Sequence, residues 1–166
     1  MQTNKWSIAA LDGLLLALVT ITVTLIQTVF EPGTAIVWFL WLVKFAGSLG
    51  LLYYFIKDYG KTQELFTYKD GFRFGFMICV LSSLICAGYM FFHYAVIFPD
   101  SVAATLEQAS AALQSSNPQG VDMLDKVGGK LPQIIFIASL IYYTLFGALA
   151  SSIIANYTKK GDIFTE

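Results

Sequence analysis

The chain has 166 residues, of which 57% are hydrophobic, 16% aromatic and only 13% charged. This composition is too apolar for an ordinary soluble domain and predicts a protein of the lipid bilayer. The formal net charge of -1 at pH 7, with aromatic residues dispersed among apolar ones, does not favour nucleic-acid binding.

Four long apolar segments predict an all-α membrane protein whose four transmembrane helices form two hairpins. At about 1.5 Å per residue, each segment is long enough to cross a hydrocarbon core of about 30 Å. The loops are too short for a soluble catalytic domain, so a single four-helix membrane domain over residues 1–166 is predicted. The predicted spans are residues 6–30, 34–56, 72–98 and 131–155.

The first span carries a polar face. Its members fall within a sector of about 120° when each residue turns the helix by 100°. Hydrogen bonding to neighbouring helices is the favoured interpretation, and lining a path or pocket together with Lys44 is the alternative. The length of the span and the lack of a cleavage motif predict a retained helix rather than a signal peptide. The polar residues are Asp12, Thr20, Thr24 and Gln27.

Lys44 is the eleventh residue of the second span, an otherwise uncharged stretch over residues 34–56. A charge at the centre of a membrane helix costs roughly 3 kcal/mol, so Lys44 needs a partner, water or a function. Asp12 is predicted to lie ~9 Å from the cytoplasmic end of its helix and Lys44 ~18 Å. Their side chains also lean apart, because each points toward the N-terminus of its own helix.

Hydrogen bonding of Lys44 to the face formed by Thr20, Thr24 and Gln27 is therefore favoured over an ion pair with Asp12. A water-filled cavity and the carboxylate of a partner subunit remain alternatives.

The third span contains Cys79, Cys86 and His93 at intervals of seven residues. Neighbouring members of this series are about 10 Å apart along a helix, too far for one metal site. The cysteines are predicted to be packing residues and His93 an interfacial polar group. The chain offers no catalytic constellation, so no catalytic, cofactor-binding or metal-binding residue is predicted.

The distribution of positive charge predicts the orientation in the membrane. Seven of the ten lysines and arginines fall on one side and two on the other. The positive-inside rule then places both termini and the loop over residues 57–71 in the cytoplasm. A cytoplasmic basic edge is predicted to contact phospholipids, with docking of a peripheral protein as the alternative: Lys57, Lys61, Lys69 and Arg73.

Residues 99–130 form the predicted extracytoplasmic segment. A short amphipathic helix is predicted over residues 101–116, with Asp100 or Ser101 as its N-cap. A break at residues 117–120 and a second helical turn over residues 121–127 follow. Capping of the bundle is favoured for this helix over docking of a partner.

Small residues mark places where membrane helices can approach closely. They predict a packed bundle or an oligomer without pointing to a specific function. The predicted packing residues are Gly47, Gly50, Gly71, Gly75, Gly147 and Ser151.

The chain as a whole resembles a bacterial family of small membrane proteins, the domain of unknown function 4199. The resemblance rests on residues 47–57, on the segment FTYKDGFRFGF at residues 66–76, on FPD at residues 98–100 and on residues 147–160. It implies four helices and a bacterial inner membrane, and it transfers no catalytic or binding residue. It also suggests a polyprenyl-phosphate glycosyltransferase as a partner.

The sequence therefore predicts a non-enzymatic accessory or scaffold subunit that binds a membrane-associated partner. A small transporter or channel-like oligomer that uses the polar face with Lys44 is the alternative, and an enzyme of unfamiliar chemistry is the third hypothesis. No cofactor is predicted. The predicted partners are the lipid bilayer and a membrane protein or a second copy of the chain.

Overall fold

The computed structural model describes residues 5–116 and 127–160. Over these residues the chain consists of helices joined by short loops, and no strand is present. The helices are α1 (Lys5–Phe30), α2 (Thr34–Lys61), α3 (Tyr68–Phe92), a π-helical turn (His93–Ile97), α4 (Pro99–Ser116) and α5 (Leu131–Thr158).

Four helical segments are long and apolar enough to cross a bilayer: α1, α2, α3 with the π-helical turn, and α5. They are 26 to 30 residues long and have mean hydropathy values between 1.9 and 2.2. The four predicted spans are thus confirmed as helices with the length and composition of a multi-pass membrane protein.

The helices extend beyond several predicted ends. α2 continues to Lys61 rather than ending at residue 56, and α3 begins at Tyr68 rather than at residue 72. The predicted boundaries follow the change from apolar to charged residues, but lysine is a good helix former, so the helix does not stop there. The predicted loop over residues 57–71 is therefore reduced to residues 62–67.

The turn between α1 and α2 reverses the chain over three residues, Glu31 to Gly33. Glu31 has a φ of 41°, in the left-handed region that non-glycine residues seldom adopt. Gly33 precedes α2 and its carbonyl accepts hydrogen bonds from the amides of Ile36 and Val37. α1 and α2 thus form an antiparallel hairpin.

A capping box starts α3. The Thr67 hydroxyl donates to the Asp70 carboxylate over 2.6 Å, and the Thr67 amide donates to the same carboxylate over 3.3 Å. In return the Asp70 amide donates to the Thr67 hydroxyl oxygen over 3.3 Å. These bonds satisfy amides that have no partner within the helix, so they fix where α3 begins.

The loop before α3 is anchored by Phe66, whose side chain is fully buried. Its ring contacts Tyr59, with 6.1 Å between the ring centroids, and it lies directly against Gly60. Its backbone pairs with Lys160 through two hydrogen bonds of 3.3 and 2.8 Å. The loop thereby joins the end of α2 to the residues after α5.

The described residues group into two compact units. One contains residues 5–86 and 141–160, and the other contains residues 87–116 and 127–140. The single domain over residues 1–166 stays a prediction.

Small side chains line the contact between α3 and α5 in the first unit. At each of four successive levels, four residues apart on α3, a small residue of α3 meets a small residue of α5. A Cβ atom added at Gly75 would lie 3.1 Å from the Ser151 Cβ, and one added at Gly147 would collide with Cys79. We call this contact the small-residue seam: Gly71 with Ala155, Gly75 with Ser151, Cys79 with Gly147 and Ser83 with Thr144.

In the second unit the π-helical turn encloses His93, whose side chain is fully buried. The Tyr89 hydroxyl lies 3.0 Å from His93 Nδ1, and the rings of Tyr94 and Phe98 are each 4.9 Å from the His93 ring. The prediction treated His93 as an interfacial polar group, but aromatic residues close to it in sequence bury the ring.

α4 begins at Pro99, two residues before the predicted outer helix. Asp100 and Ser101 therefore lie inside the first turn of α4, so their predicted N-cap role is wrong, and the Ser101 hydroxyl donates to the Phe98 carbonyl over 2.7 Å. Proline fits the first turn of a helix because no amide hydrogen bond is needed there. Residues 117–126, which contain the predicted break and most of the second turn, lie outside the described residues.

We expect Gly147→Ala to destabilise the protein, because the added methyl group must displace Cys79 in the small-residue seam. Overpacking of this kind typically costs about 1–3 kcal/mol. The thermal unfolding temperature in a mild detergent measures the effect. Gly88→Ala is the matched control, since nothing lies within 4 Å of a Cβ added there. Equal unfolding temperatures for the two variants would contradict the proposed packing of the seam.

Candidate functional site

The α1–α2 hairpin places Lys44 beside Thr20. Thr20 lies twelve residues before Pro32 in the turn, and Lys44 lies twelve residues after it. Residues equally far from the turn of an antiparallel hairpin share the same level. Asp12 lies eight residues further from the turn than Thr20, which corresponds to about 12 Å along the helix.

Lys44 and Thr20 line a cavity of about 240 Å³ within the first unit. This volume is slightly below the range of small-molecule sites, roughly 300–1,000 Å³. All four helices of the unit contribute to the wall. The lining residues are Leu16, Thr20, Trp41, Lys44, Phe45, Ser48, Leu49, Leu52, Cys79, Ser82, Ser83, Cys86, Tyr142, Tyr143, Phe146, Gly147 and Ala150.

The inner wall of the cavity carries small polar groups. Thr20, Ser82 and Ser83 are buried there, and Ser48 lies one helical turn from Lys44 on the same face of α2. The Ser83 hydroxyl donates to the Val80 carbonyl over 2.8 Å and lies 3.0 Å from the Thr144 hydroxyl. The same cavity wall thus carries several hydroxyl groups and one ammonium group.

Both cysteines also line the cavity, and both are buried free thiols. The Cys79 sulfur lies 3.7 Å from the Ser151 hydroxyl, and the Cys86 thiol contacts the Ala17 carbonyl over 3.9 Å. These contacts agree with the interpretation of the cysteines as packing residues.

No acidic side chain lines the cavity among the described residues. Within residues 5–116 and 127–160, the ion pair present joins the exposed side chains of Lys61 and Asp58 at 3.0 Å, far along α2 from Lys44. The positive charge of Lys44 therefore has no counter-charge in the part of the chain that the structure describes.

The polar face predicted for α1 is divided by the fold. Thr20 joins Lys44 at the cavity, whereas Asp12, Thr24 and Gln27 do not line it. Asp12 is buried. Asp12 therefore lies away from Lys44, because the two residues are at different levels along the helices.

The outer rim of the cavity is aromatic and exposed. Trp41 is 41% exposed, Phe45 39% and Tyr142 61%, although all three line the cavity. The Trp41 and Phe45 rings stack at 5.4 Å, Phe45 contacts Phe146 at 5.7 Å, and Phe146 stacks on Tyr142 at 6.4 Å. The cavity therefore opens sideways between α2 and α5, toward the surface that would face lipid.

The predicted basic edge lies at the ends of α2 and α3, where its four members have exposed side chains: Lys57, Lys61, Lys69 and Arg73. The Lys57 ammonium lies 5.3 Å from the centre of the Tyr53 ring, and the Lys5 ammonium lies 5.8 Å from the Tyr59 ring. Long basic side chains with apolar stems suit a membrane–water boundary.

Sequence reasoning missed Ser48, Ser82, Ser83 and Tyr142 as cavity residues. Ser48 could have been found from its spacing of four residues after Lys44, which puts both on one helix face. The other three depend on how α3 and α5 align with α2, and no sequence pattern specifies that alignment. Among the described residues no group of three or more His, Cys, Asp or Glu side chains could hold a metal ion.

The sequence profile of the family described as "Protein of unknown function (DUF4199)" matches residues 11–160 of the chain. This chain therefore belongs to that family. Searches of curated proteins and of solved structures gave no match.

We expect Lys44→Met to raise the thermal unfolding temperature in a mild non-ionic detergent, because it removes an unpaired charge and keeps a side chain of similar length. Lys57→Met is the matched control, and its surface position should leave stability within about 0.5 kcal/mol of the unchanged protein. A marked loss of stability in Lys44→Met alone would show that Lys44 makes a bond that the fold requires.

Proposed function

We propose that this protein is a non-enzymatic accessory or scaffold subunit of the membrane that holds a membrane-associated partner protein. The observation that carries the proposal is an exposed pair of small residues, Ala46 and Gly50, on α2. Small residues four positions apart let two membrane helices approach closely, and van der Waals packing then drives their association.

α2 is the helix with the most free surface. Within its most apolar 18 residues, only 6% are buried, against 39% for α1, 44% for α3 with the π-helical turn, and 17% for α5. In a bilayer an apolar face is satisfied by lipid, so its apolarity alone does not require a partner. Two small residues at neighbouring levels of such a face leave a shallow gap between larger exposed side chains, which a second helix can approach.

The exposed pair lies away from the cavity. Gly50 is two residues after Ser48, which turns the helix by about 200°, so the two residues point in nearly opposite directions. Gly47 lies closer to α1, where a Cβ atom added to it would be 3.7 Å from Val19. α2 can therefore bind a partner on one face while its other face lines the cavity.

We further propose a bacterial inner membrane location with both termini in the cytoplasm and α4 outside. The exposed basic edge at Lys57, Lys61, Lys69 and Arg73 supports this orientation through the positive-inside rule. Family resemblance supports a polyprenyl-phosphate glycosyltransferase as the partner, and a second copy of the chain is the simplest alternative.

Gly50→Ile should abolish retention of the partner, because a branched side chain holds the two helices apart. The tagged protein is purified from its native membrane in several mild detergents, and co-purifying proteins are identified and quantified. Nothing lies within 4 Å of a Cβ added at Gly50, so the variant subunit should fold normally.

Gly88→Ile is the matched control, since this glycine also has open space around its Cα and lies on a different helix. It should retain the partner in the same ratio as the unchanged protein. Recovery of the unchanged protein without any stoichiometric partner in every detergent would overturn the proposal.

The cavity favours a second candidate function, a small transporter or channel-like oligomer in which Lys44 and Thr20 lie on a polar route. In phosphatidylcholine vesicles that contain the purified protein, this function predicts a chloride or proton flux that Lys44→Met removes and Lys57→Met preserves. A flux that is absent, or unchanged in Lys44→Met, would contradict it.

A further inference from the structure

We propose that the cavity beside Lys44 binds the carboxylate head of a long-chain fatty acid, whose hydrocarbon tail leaves the cavity between α2 and α5. This inference does not rest on the proposed partner protein, because the exposed pair Ala46 and Gly50 is on the other side of α2.

The charge of the cavity selects a monoanion. Lys44 is the cation of the wall, and no acidic side chain among the described residues lines it. One ammonium balances one negative charge, and the charge-assisted hydrogen bonds that it donates to a carboxylate are among the stronger ones in proteins. Hydroxyl groups of Thr20, Ser48 and Ser82 lie on the same wall.

Among the described residues, a second copy of the chain offers no exposed acidic side chain at the level of Lys44. Within residues 5–116 and 127–160, Asp12 is the acidic residue that lies well inside a span, and its side chain is buried in its own subunit. Asp58 and Asp70 lie near the ends of α2 and α3, far along the helices from Lys44.

The size of the cavity limits the occupant. About 240 Å³ accommodates a carboxyl group and a short part of one chain, but not a helix. The glycerol backbone and two chains of a phospholipid would have to follow its phosphate inward. Lys44 lies ten residues from the start of α2, about 15 Å along its axis, so this would draw the whole head region into hydrocarbon.

The rim and the adjoining surface suit a single hydrocarbon chain. The cavity opens between exposed aromatic side chains of α2 and α5, namely Trp41, Phe45 and Tyr142. Beyond the rim, Leu145 and Leu149 are 61% and 67% exposed and follow Tyr142 at helical spacing. A tail that leaves the cavity can therefore lie on apolar side chains and continue into the bilayer.

Quenching of Trp41 fluorescence by dibromostearate tests the proposal. The protein carries Trp6→Phe and Trp38→Phe, so that Trp41 is the remaining tryptophan, and it is placed in nanodiscs of phosphatidylcholine. The acid should quench Trp41 saturably at low mole fraction, because it occupies a site lined by that residue. Methyl dibromostearate has the same bromines without the charge and should quench only in proportion to its concentration in the bilayer.

In the same background, Lys44→Met should weaken the apparent affinity for the acid roughly tenfold or more, the effect expected for loss of a charge-assisted hydrogen bond. Lys44→Arg keeps the charge and should retain saturable quenching, as should the matched control Lys57→Met. Unfolding temperatures verify that each variant is folded.

Three results would overturn the proposal. The first is equal quenching by the acid and its methyl ester in the protein that keeps Lys44. The second is saturable quenching that Lys44→Met leaves intact. The third is tighter Lys44-dependent binding of a brominated phosphatidylglycerol, which would identify a phospholipid as the occupant. None of these results depends on the partner that Gly50→Ile tests, so the two proposals fail separately.

Discussion

The close approach of α3 and α5 is the constraint on which the first unit depends. Along the small-residue seam, each step of about one helical turn brings together two residues with little or no side chain, from Gly71 with Ala155 to Ser83 with Thr144. Lipid provides no hydrophobic force between membrane helices, so close van der Waals contact must hold them together. The cavity adjoins this seam at Cys79, Ser83 and Gly147, which line it.

The segment that carries the family resemblance performs this structural task. In FTYKDGFRFGF, Phe66 anchors the loop against Gly60, Thr67 and Asp70 form the capping box that starts α3, and Gly71 and Gly75 open the seam to α5. Phe74 stacks on Tyr59 with 3.9 Å between the ring centroids. The residues that distinguish this segment therefore position helices, and no reactive role is needed to account for them.

The sequence predicted the four spans and the level of Lys44 with respect to Thr20, because both follow from hydrophobic length and a three-residue turn. Four of the six predicted packing residues lie in the small-residue seam. The end of α2 at Lys61 was missed because charge does not stop a helix, and the start of α3 at Tyr68 was missed because the capping box of Thr67 and Asp70 was not recognised in the sequence. Ser82, Ser83 and Tyr142 were missed because they meet Lys44 only through the relative alignment of non-consecutive helices, which no local pattern encodes.

The position of Lys44 on α2 separates its role from the stability of the fold. The buried share of α2 is the smallest of the four spans, so the packing that orders the unit lies mainly in α1, α3 and α5. A lysine placed in the seam would have to be paired within the chain or would prevent the helices from meeting. On α2 it instead faces a cavity with hydroxyl groups and an aromatic rim. The open space of the cavity, rather than an ion pair, accommodates its charge. A charge that no acidic side chain of the described residues neutralises is one that an outside group can neutralise, and the space between the exposed aromatic side chains of α2 and α5 gives such a group a route from the bilayer.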